Sequence, residues 1–213
     1  MTLSSSPRLL KAGIAVVEPE GGAVQRVIPL QYNPDSLARS LEVQDDDGGR
    51  TSRQRLTAPP VETYRLQALL DATDALERGE APAVESGVAA HLAALELLVS
   101  PSSARILEND ALLDAGELRI LPMLQPLALF VWSRHRIVPV RLTELSVTEE
   151  AFDSHLNPIR ARLDLGLRVL TSDDLGLAGR GGAIFMNHLR GKERLGGGFE
   201  SAGLASLGIG DLP

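Results

Sequence analysis

The chain has 213 residues, 44% of them hydrophobic, which fits a folded globular protein rather than a disordered one. Its net charge of -7 and aromatic content of only 3% argue against nucleic acid as a partner, because neither broad phosphate binding nor base stacking is favoured. No cysteine is present, so disulfides, zinc thiolate sites and a cysteine nucleophile are excluded.

The N-terminal residues carry no targeting signal that we recognise. The segment MTLSSSPRLLKAG lacks the apolar stretch of a signal peptide, and no run approaches the roughly 20 apolar residues of a membrane span. We therefore expect a cytoplasmic protein without direct membrane insertion, unless it leaves the cell as part of a larger particle.

Two alternating runs begin the chain. Apolar residues occupy one face of the first, residues 8–17: Leu10, Ala12, Ile14 and Val16. A glycine pair separates this run from residues 24–30, which alternate again, so a β-hairpin is predicted. Residues 31–36 (QYNPDS) read as a turn, because Pro34 fixes its own φ and pushes the preceding residue out of the helical region. A further strand is expected at residues 37–43.

The next segments switch between polar and apolar character. Residues 44–55 (QDDDGGRTSRQR) indicate a mobile loop or an arm that orders on contact with a partner. Residues 64–71 alternate as a strand does, and residues 71–85 read as a polar connector. A helix is predicted over residues 86–99 with Ser86 as its N-cap, because apolar positions there recur every three or four residues.

The segment that follows predicts a loop and a second hairpin. Residues 102–116 read as a loop, with an acidic cluster at and just beyond it: Glu108, Asp110, Asp114 and Glu117. Residues 118–132 are apolar but contain two prolines, which favour an edge strand or a bulge. The polar turn at residues 133–136 joins two apolar runs and predicts a hairpin that continues to residue 148. Trp132 would be its core anchor, or alternatively an interface hot spot.

The clearest periodicity lies in residues 156–170 (LNPIRARLDLGLRVL). From Ile159 every second side chain is apolar, while Arg160, Arg162 and Arg168 fall between them. A strict period of two indicates a strand with one buried face and a basic outer face. That outer face is either the wet side of a sheet or a surface that meets a neighbouring subunit or lines a lumen.

The character of the chain changes after residue 172. We predict one β domain over residues 1–172 and a glycine-rich, partly ordered extension over residues 173–213, which could contain a short helix at residues 183–190.

Residues with catalytic potential do not form a recognisable site. The four histidines lack the spacing of a helical metal pair: His91, His135, His155 and His188. The acidic residues 45–47 lack the alternating ligands and closing glutamate of a calcium loop. The glycine-rich segments lack the Lys-Ser/Thr of a phosphate loop, and no G-x-S-x-G motif is present. No catalytic residue, metal or cofactor is therefore predicted, and an enzyme is disfavoured.

The order of motifs resembles the tube-protein-like family of contractile injection systems, which are phage-tail-derived particles. Four segments carry the resemblance: LQYNP at 30–34, the strand ending in Leu-Asp at 64–71, FVW at 130–132 and NPIRA at 157–161. In that family the turn reads Tyr-Asn-Pro, a later strand ends in Trp-Gly and the last opens with Pro-Leu-Arg-Ala. The resemblance covers residues 8–172, and it departs from the family where Ser133 stands in place of glycine.

The resemblance implies a mainly β (α+β) fold, an antiparallel β-barrel or sandwich of the phage tail-tube type with one packed helix. It also implies a structural role, as a baseplate hub or inner-tube adaptor. Such a protein self-associates into a ring, expected to be a hexamer, and joins the spike complex to the inner tube protein, in contact with other baseplate proteins.

The resemblance also sets the candidate assembly residues and the alternatives. Tyr32, Asn33 and Pro34 of the turn join Trp132 and the three arginines as candidate interface residues. Many family members carry a C-terminal LysM module, but the residues after 172 are too few and too glycine-rich to form one. A tail terminator or cap component of the same particle is one alternative. The other is an unrelated carbohydrate-binding module that exposes Trp132 and Tyr64.

Overall fold

One seven-stranded antiparallel sheet dominates the computed structural model, which describes residues 10–18, 22–44, 58–115, 126–200 and 202–210. The strand order is β2-β1-β5-β6-β7-β4-β3. The strands are β1 (Gly13–Val17), β2 (Val24–Pro29), β3 (Ala38–Glu42), β4 (Val61–Asp71), β5 (Leu127–Ser133), β6 (Arg136–Phe152) and β7 (Pro158–Val169). The helices are α1 (Thr73–Glu77), α2 (Ala81–Ser86), α3 (Ala89–Glu96), α4 (Ser103–Asp114), α5 (Ser172–Leu175) and α6 (Arg180–Gly197), followed by a short 3-10 helix (Leu204–Leu207).

The strands follow the predicted hairpins. β1 pairs with β2 and β5 with β6, and β6 and β7 form the longest ladder, from Val140 opposite Val169 to Phe152 opposite Pro158. The apolar series of β7 is buried, as its period of two predicts: Ala161, Leu163, Leu165, Leu167 and Val169. The mixed α+β class and the antiparallel sheet are thus confirmed.

The sheet curls strongly along its width. β2 is one edge strand, and β4 lies next to the opposite edge strand, β3. The side chain of Gln31, directly after β2, nevertheless hydrogen-bonds to the main chain of Asp71 at the end of β4. The main core lies on the inner side of this curl, where the rings of Tyr64 and Phe130 pack with centroids 5.5 Å apart.

Helices close the core. α3 contributes Leu92 and Leu95, and α6 contributes Phe185, which packs into the same cluster as the strands. α6 contains the short helix predicted at residues 183–190 and extends it at both ends. None of the helices in the described part of the chain is long and apolar enough to cross a membrane.

Several predictions between β4 and β5 are wrong. The expected polar connector forms α1 and α2, and the expected loop at residues 102–116 forms α4, for which Ser102 is the N-cap. Ser86 is the last residue of α2 and caps no helix. Gly87 follows it with a φ of 57°, which ends α2 before α3 begins. The resemblance implied one packed helix, and the described residues contain more.

Two predicted segments cannot be compared with the structure. The loop or arm at residues 44–55 lies outside the described residues except for Gln44, and so does the part of the predicted apolar strand before residue 126. The acidic cluster places three of its members on α4, while Glu117 also lies outside the described residues.

Candidate functional site

The outward face of β6, β7, β4 and β3 is a continuous polar surface. The apolar side chains of β4, β6 and β7 point to the other side of the sheet, into the core. The register places Arg160 of β7 opposite Asp71 of β4 and Glu150 of β6. Two positions further, Arg162 lies opposite Leu69 and Thr148. This polar face therefore presents side chains from four strands as one surface.

Each arginine of the predicted basic face is paired with a carboxylate. Arg160 Nη2 lies 2.8 Å from Asp71 Oδ2, and Arg162 Nη2 lies 3.3 Å from Glu150 Oε1. Arg168 Nη1 lies 3.1 Å from Asp174 Oδ1, at the start of α5. The arginines of β7 therefore point outward as predicted, and each is paired with an acidic residue on a neighbouring element.

Hydrogen bonds hold these carboxylates in place. Thr73 donates to Asp71 through its hydroxyl and backbone N–H at 2.5 and 2.9 Å, and these bonds, with that from Arg160, lower the pKa of Asp71. Burial tends to raise the pKa of Asp174, but bonds from Thr171 and Arg168 outweigh it and lower that pKa. Both carboxylates therefore stay charged opposite their arginines well into the acidic range.

The turn at residues 31–36 is fixed by its own polar side chains. Asn33 accepts a hydrogen bond from the Ala12 N–H at 2.9 Å and donates to the Leu10 carbonyl at 2.8 Å. Gln31 donates to the Asp71 carbonyl at 2.5 Å and accepts from the Asp71 N–H at 2.7 Å. The motif that carries the resemblance thus ties the start of β1 and the end of β4 to the same turn.

The turn overhangs the polar face and forms a cleft of about 410 Å³ against it. Tyr32, Asn33 and Pro34 line one side, and Arg162 lies among the residues of the other. A neighbouring cleft of about 440 Å³ shares Ser36 with the first and continues it toward β6. The two form one open groove along the polar face.

The structure brings together only part of the predicted set. The three turn residues and Arg162 share the groove, whereas Arg160 and Arg168 do not line it. Trp132 lies on β5, where it is partly buried and packs on Phe130 with ring centroids 5.9 Å apart. This position fits the core-anchor interpretation. Tyr64 is 0% exposed, so the aromatic surface that a carbohydrate module would need is not formed by this pair.

Both sheet edges are exposed. Every residue of β3 is exposed, with Leu41 at 45%, and Val43 just beyond it is 56% exposed. At the other edge, Val24 and Val27 of β2 are each 62% exposed. Each edge strand pairs on one side only among the described residues, so its other side has main-chain groups available for a further strand.

A second polar site lies buried between β4 and α6. Glu62, whose side chain is 5% exposed, accepts hydrogen bonds of 2.5 Å from the Tyr64 hydroxyl and from Lys192 Nζ. Arg39 Nη1 of β3 lies 3.8 Å from the same carboxylate, and the Arg136 guanidinium lies over the Tyr64 ring at 5.8 Å. This cluster joins three strands and a helix.

Opposing effects set the protonation of this buried cluster. Burial tends to raise the pKa of Glu62, but the hydrogen bonds from Lys192 and Tyr64 outweigh it and lower the pKa below its ordinary value. Burial raises the pKa of Tyr64, and the bond to Glu62 raises it further. Glu62 is therefore a carboxylate and Tyr64 a neutral donor at neutral pH.

Sequence reasoning missed this cluster, although one signal was present. Glu62 occupies the same period-two series as Tyr64, Leu66, Ala68 and Leu70, so the alternation of β4 places a carboxylate on the buried face. Its partner Lys192 lies 130 residues away, and nothing local predicts the pairing.

Within the described residues, no group of three or more histidines and carboxylates is arranged to hold a metal ion. No protein-family model matches the chain, and no curated protein matches it either.

Proposed function

We propose that this chain is a ring-forming structural subunit of a contractile injection system, a baseplate hub or inner-tube adaptor between the spike complex and the inner tube. The observation that carries the proposal is the curled seven-stranded antiparallel sheet with two exposed edge strands. The order of sequence motifs supports this role. We propose in addition that the sheet has the fold of phage tail-tube proteins. The role requires surfaces for assembly and no catalysis.

Edge pairing supplies the assembly step. The free side of β3 in one copy pairs with the free side of β2 in the next, so that the sheet runs on from subunit to subunit. The exposed apolar side chains at these edges then become buried: Val24, Val27, Leu41 and Val43. Six copies related in this way would close the expected hexameric ring.

We assign the polar face to the lumen of that ring. Arg160, Arg162 and Arg168 on this face are each paired with a carboxylate, which offsets their positive charge. Such a surface neither adheres to an apolar partner nor attracts one charge sign strongly. The turn at residues 31–36 lines a cleft on this face, so in the proposed ring it would lie at the lumen.

Particle microscopy tests the role. Particles purified from the native host, with and without this gene, are compared by electron microscopy. We expect spikeless or tubeless particles, or none, after deletion. Normal particles after deletion would refute the proposal, and a tagged protein found at the end opposite the spike would make it the terminator instead.

Ring formation is tested separately with purified protein. Leu41→Lys places a charge on the edge of β3 and should weaken ring formation at least about tenfold, because the charge would lose its water in the joined sheet. Leu97→Lys changes a similarly exposed leucine that follows α3 and should leave rings intact. Native mass spectrometry with tube and spike proteins present reads the stoichiometry. A wild-type chain that stays monomeric there contradicts the ring.

A further inference from the structure

A partly buried ion pair holds α6 against the sheet. Lys192 Nζ on α6 lies 2.5 Å from Glu62 Oε2 on β4, and Phe185, two turns earlier on the helix, is buried in the main core. The Glu62 side chain is 5% exposed, so this pair is largely shielded from water on the carboxylate side. A partly buried pair of this kind is stabilising only while both partners stay charged.

His188 lies one turn before Lys192 on the same side of α6, and it forms no hydrogen bond with this ion pair. The His188 side chain is 4% exposed, and neither of its ring nitrogens has a hydrogen-bond partner among the described residues. Its Nε2 lies 4.0 Å from Glu62 Oε2, beyond hydrogen-bond distance. A buried imidazole without partners is a neutral group in an environment that resists a proton.

The charged groups that face His188 come from four elements, and three of the four disfavour its protonation. Lys192 comes from its own helix, Arg39 from β3 and Arg136 from β6, and the single carboxylate Glu62 comes from β4 beside the neutral Tyr64 hydroxyl. Burial lowers the pKa of His188, the three cations lower it further, and Glu62 only partly opposes them. A proton on His188 would add a fourth positive charge around one carboxylate.

We propose that α6 is fastened by an acid-sensitive latch made of Glu62, Lys192 and His188, and that mild acid releases the helix while the sheet remains folded. When α6 leaves, His188 reaches water and binds a proton at its ordinary pKa near 6.5, which it cannot do when docked. Docking is therefore strongest above that pH and weakens as pH falls. Protonation of Glu62 acts in the same direction at lower pH. Release would uncover the surface of β4 and β6 beneath α6.

The absence of cysteine from the chain allows a site-specific test. Met186→Cys places one thiol on α6 at a position that packs against the core. Its rate of labelling with 4,4′-dithiodipyridine is divided by the rate for Ala90→Cys, an exposed reference position. Because pH changes the ionisation of both thiols, the ratio of the two rates reports release of the helix. Between pH 7 and pH 5 this ratio should rise roughly ten- to thirtyfold, since docking weakens by up to tenfold per pH unit below the ordinary histidine pKa.

Variants of the Met186→Cys protein identify the responsible group. His188→Phe should abolish the pH dependence of the labelling ratio, and His188→Gln provides a neutral polar alternative if the phenylalanine variant does not fold. His91→Phe, at an exposed position on α3, should retain it. Lys192→Met should raise labelling at every pH.

Three results would overturn the latch. One is a flat labelling ratio in the otherwise wild-type chain, and another is an unchanged pH response in both His188 variants. The third is loss of far-UV circular dichroism and of native Trp132 fluorescence over the same pH range as labelling, because that would show the whole domain unfolding rather than one helix leaving.

Discussion

The hydrogen bonds of Gln31 should stabilise the curl of the sheet measurably. The Gln31 amide donates to the Asp71 carbonyl at 2.5 Å and accepts from the Asp71 N–H at 2.7 Å, which joins the chain after β2 to the end of β4. Gln31→Ala removes both bonds and leaves two partly buried main-chain groups unpaired. At about 1 kcal/mol per net bond, the free energy of unfolding should fall by about 2 kcal/mol. For a chain of 213 residues this lowers Tm by about 4–8 °C.

Urea denaturation followed by Trp132 fluorescence measures this loss, because Trp132 is the only tryptophan. The matched control is Gln67→Ala. Gln67 is also a glutamine bonded across the sheet, to Asp164 Oδ1 at 2.8 Å, but it is exposed and should cost about 0.5 kcal/mol or less. If both variants lose the same stability, the bonds of Gln31 do not stabilise the curl and the reasoning fails.

Two further substitutions test the local structure, each by chemical denaturation. Gly87→Ala should lower the free energy of unfolding by roughly 2 kcal/mol more than Gly79→Ala does. Both glycines have positive φ, but only at Gly87 would the new Cβ overlap the Pro158 carbonyl oxygen. Equal losses of stability would contradict this close approach. Tyr64→Phe should cost about 2 kcal/mol at pH 7, because buried Glu62 loses a charge-assisted hydrogen bond. Glu62 stabilises the fold above its ordinary pKa and loses this effect as pH falls through its depressed pKa, so the acid transition of Tyr64→Phe should begin at higher pH.

The strands that put one face in the core could be predicted from their alternation of apolar and polar residues. β7 shows this best: its buried series begins at Ala161 and ends at Val169 without interruption. The second hairpin was predicted from its polar turn, although β6 proved to be a single strand of 17 residues. A period of two survives any tertiary context in which one side of the sheet stays buried.

The helices between β4 and β5 were not predictable by the same means. α4 buries only Asn109 among its described side chains, so packing imposes no apolar period on its sequence. Its one local signal is Ser102, whose hydroxyl accepts a hydrogen bond from the Arg105 N–H at 3.3 Å. The same serine also fits the start of the loop predicted at residues 102–116, because N-caps and turns favour the same residue types.

Charge pairing also lay beyond the sequence pattern. The alternation of β7 places Arg160, Arg162 and Arg168 outward, but their partners come from β4, β6 and α5. Which carboxylate lies opposite which arginine depends on strand register and helix placement, both of which are tertiary properties. The alternation within one strand therefore predicts that the arginines point outward, but it does not predict which carboxylates pair with them.

The ring that we propose uses the two exposed edges more fully than a dimer would. β2 exposes Val24 and Val27, whereas β3 carries Arg39 and Leu41, so the edges are different surfaces. Pairing β3 with β3 would give a closed two-fold dimer and leave both copies of β2 unpaired. Pairing β3 with β2 uses every edge, and such a head-to-tail contact either closes into a ring or continues as a filament. The rotation between neighbouring subunits decides between these, so the stoichiometry of the proposed ring, if one forms, would report the geometry of the joined sheet.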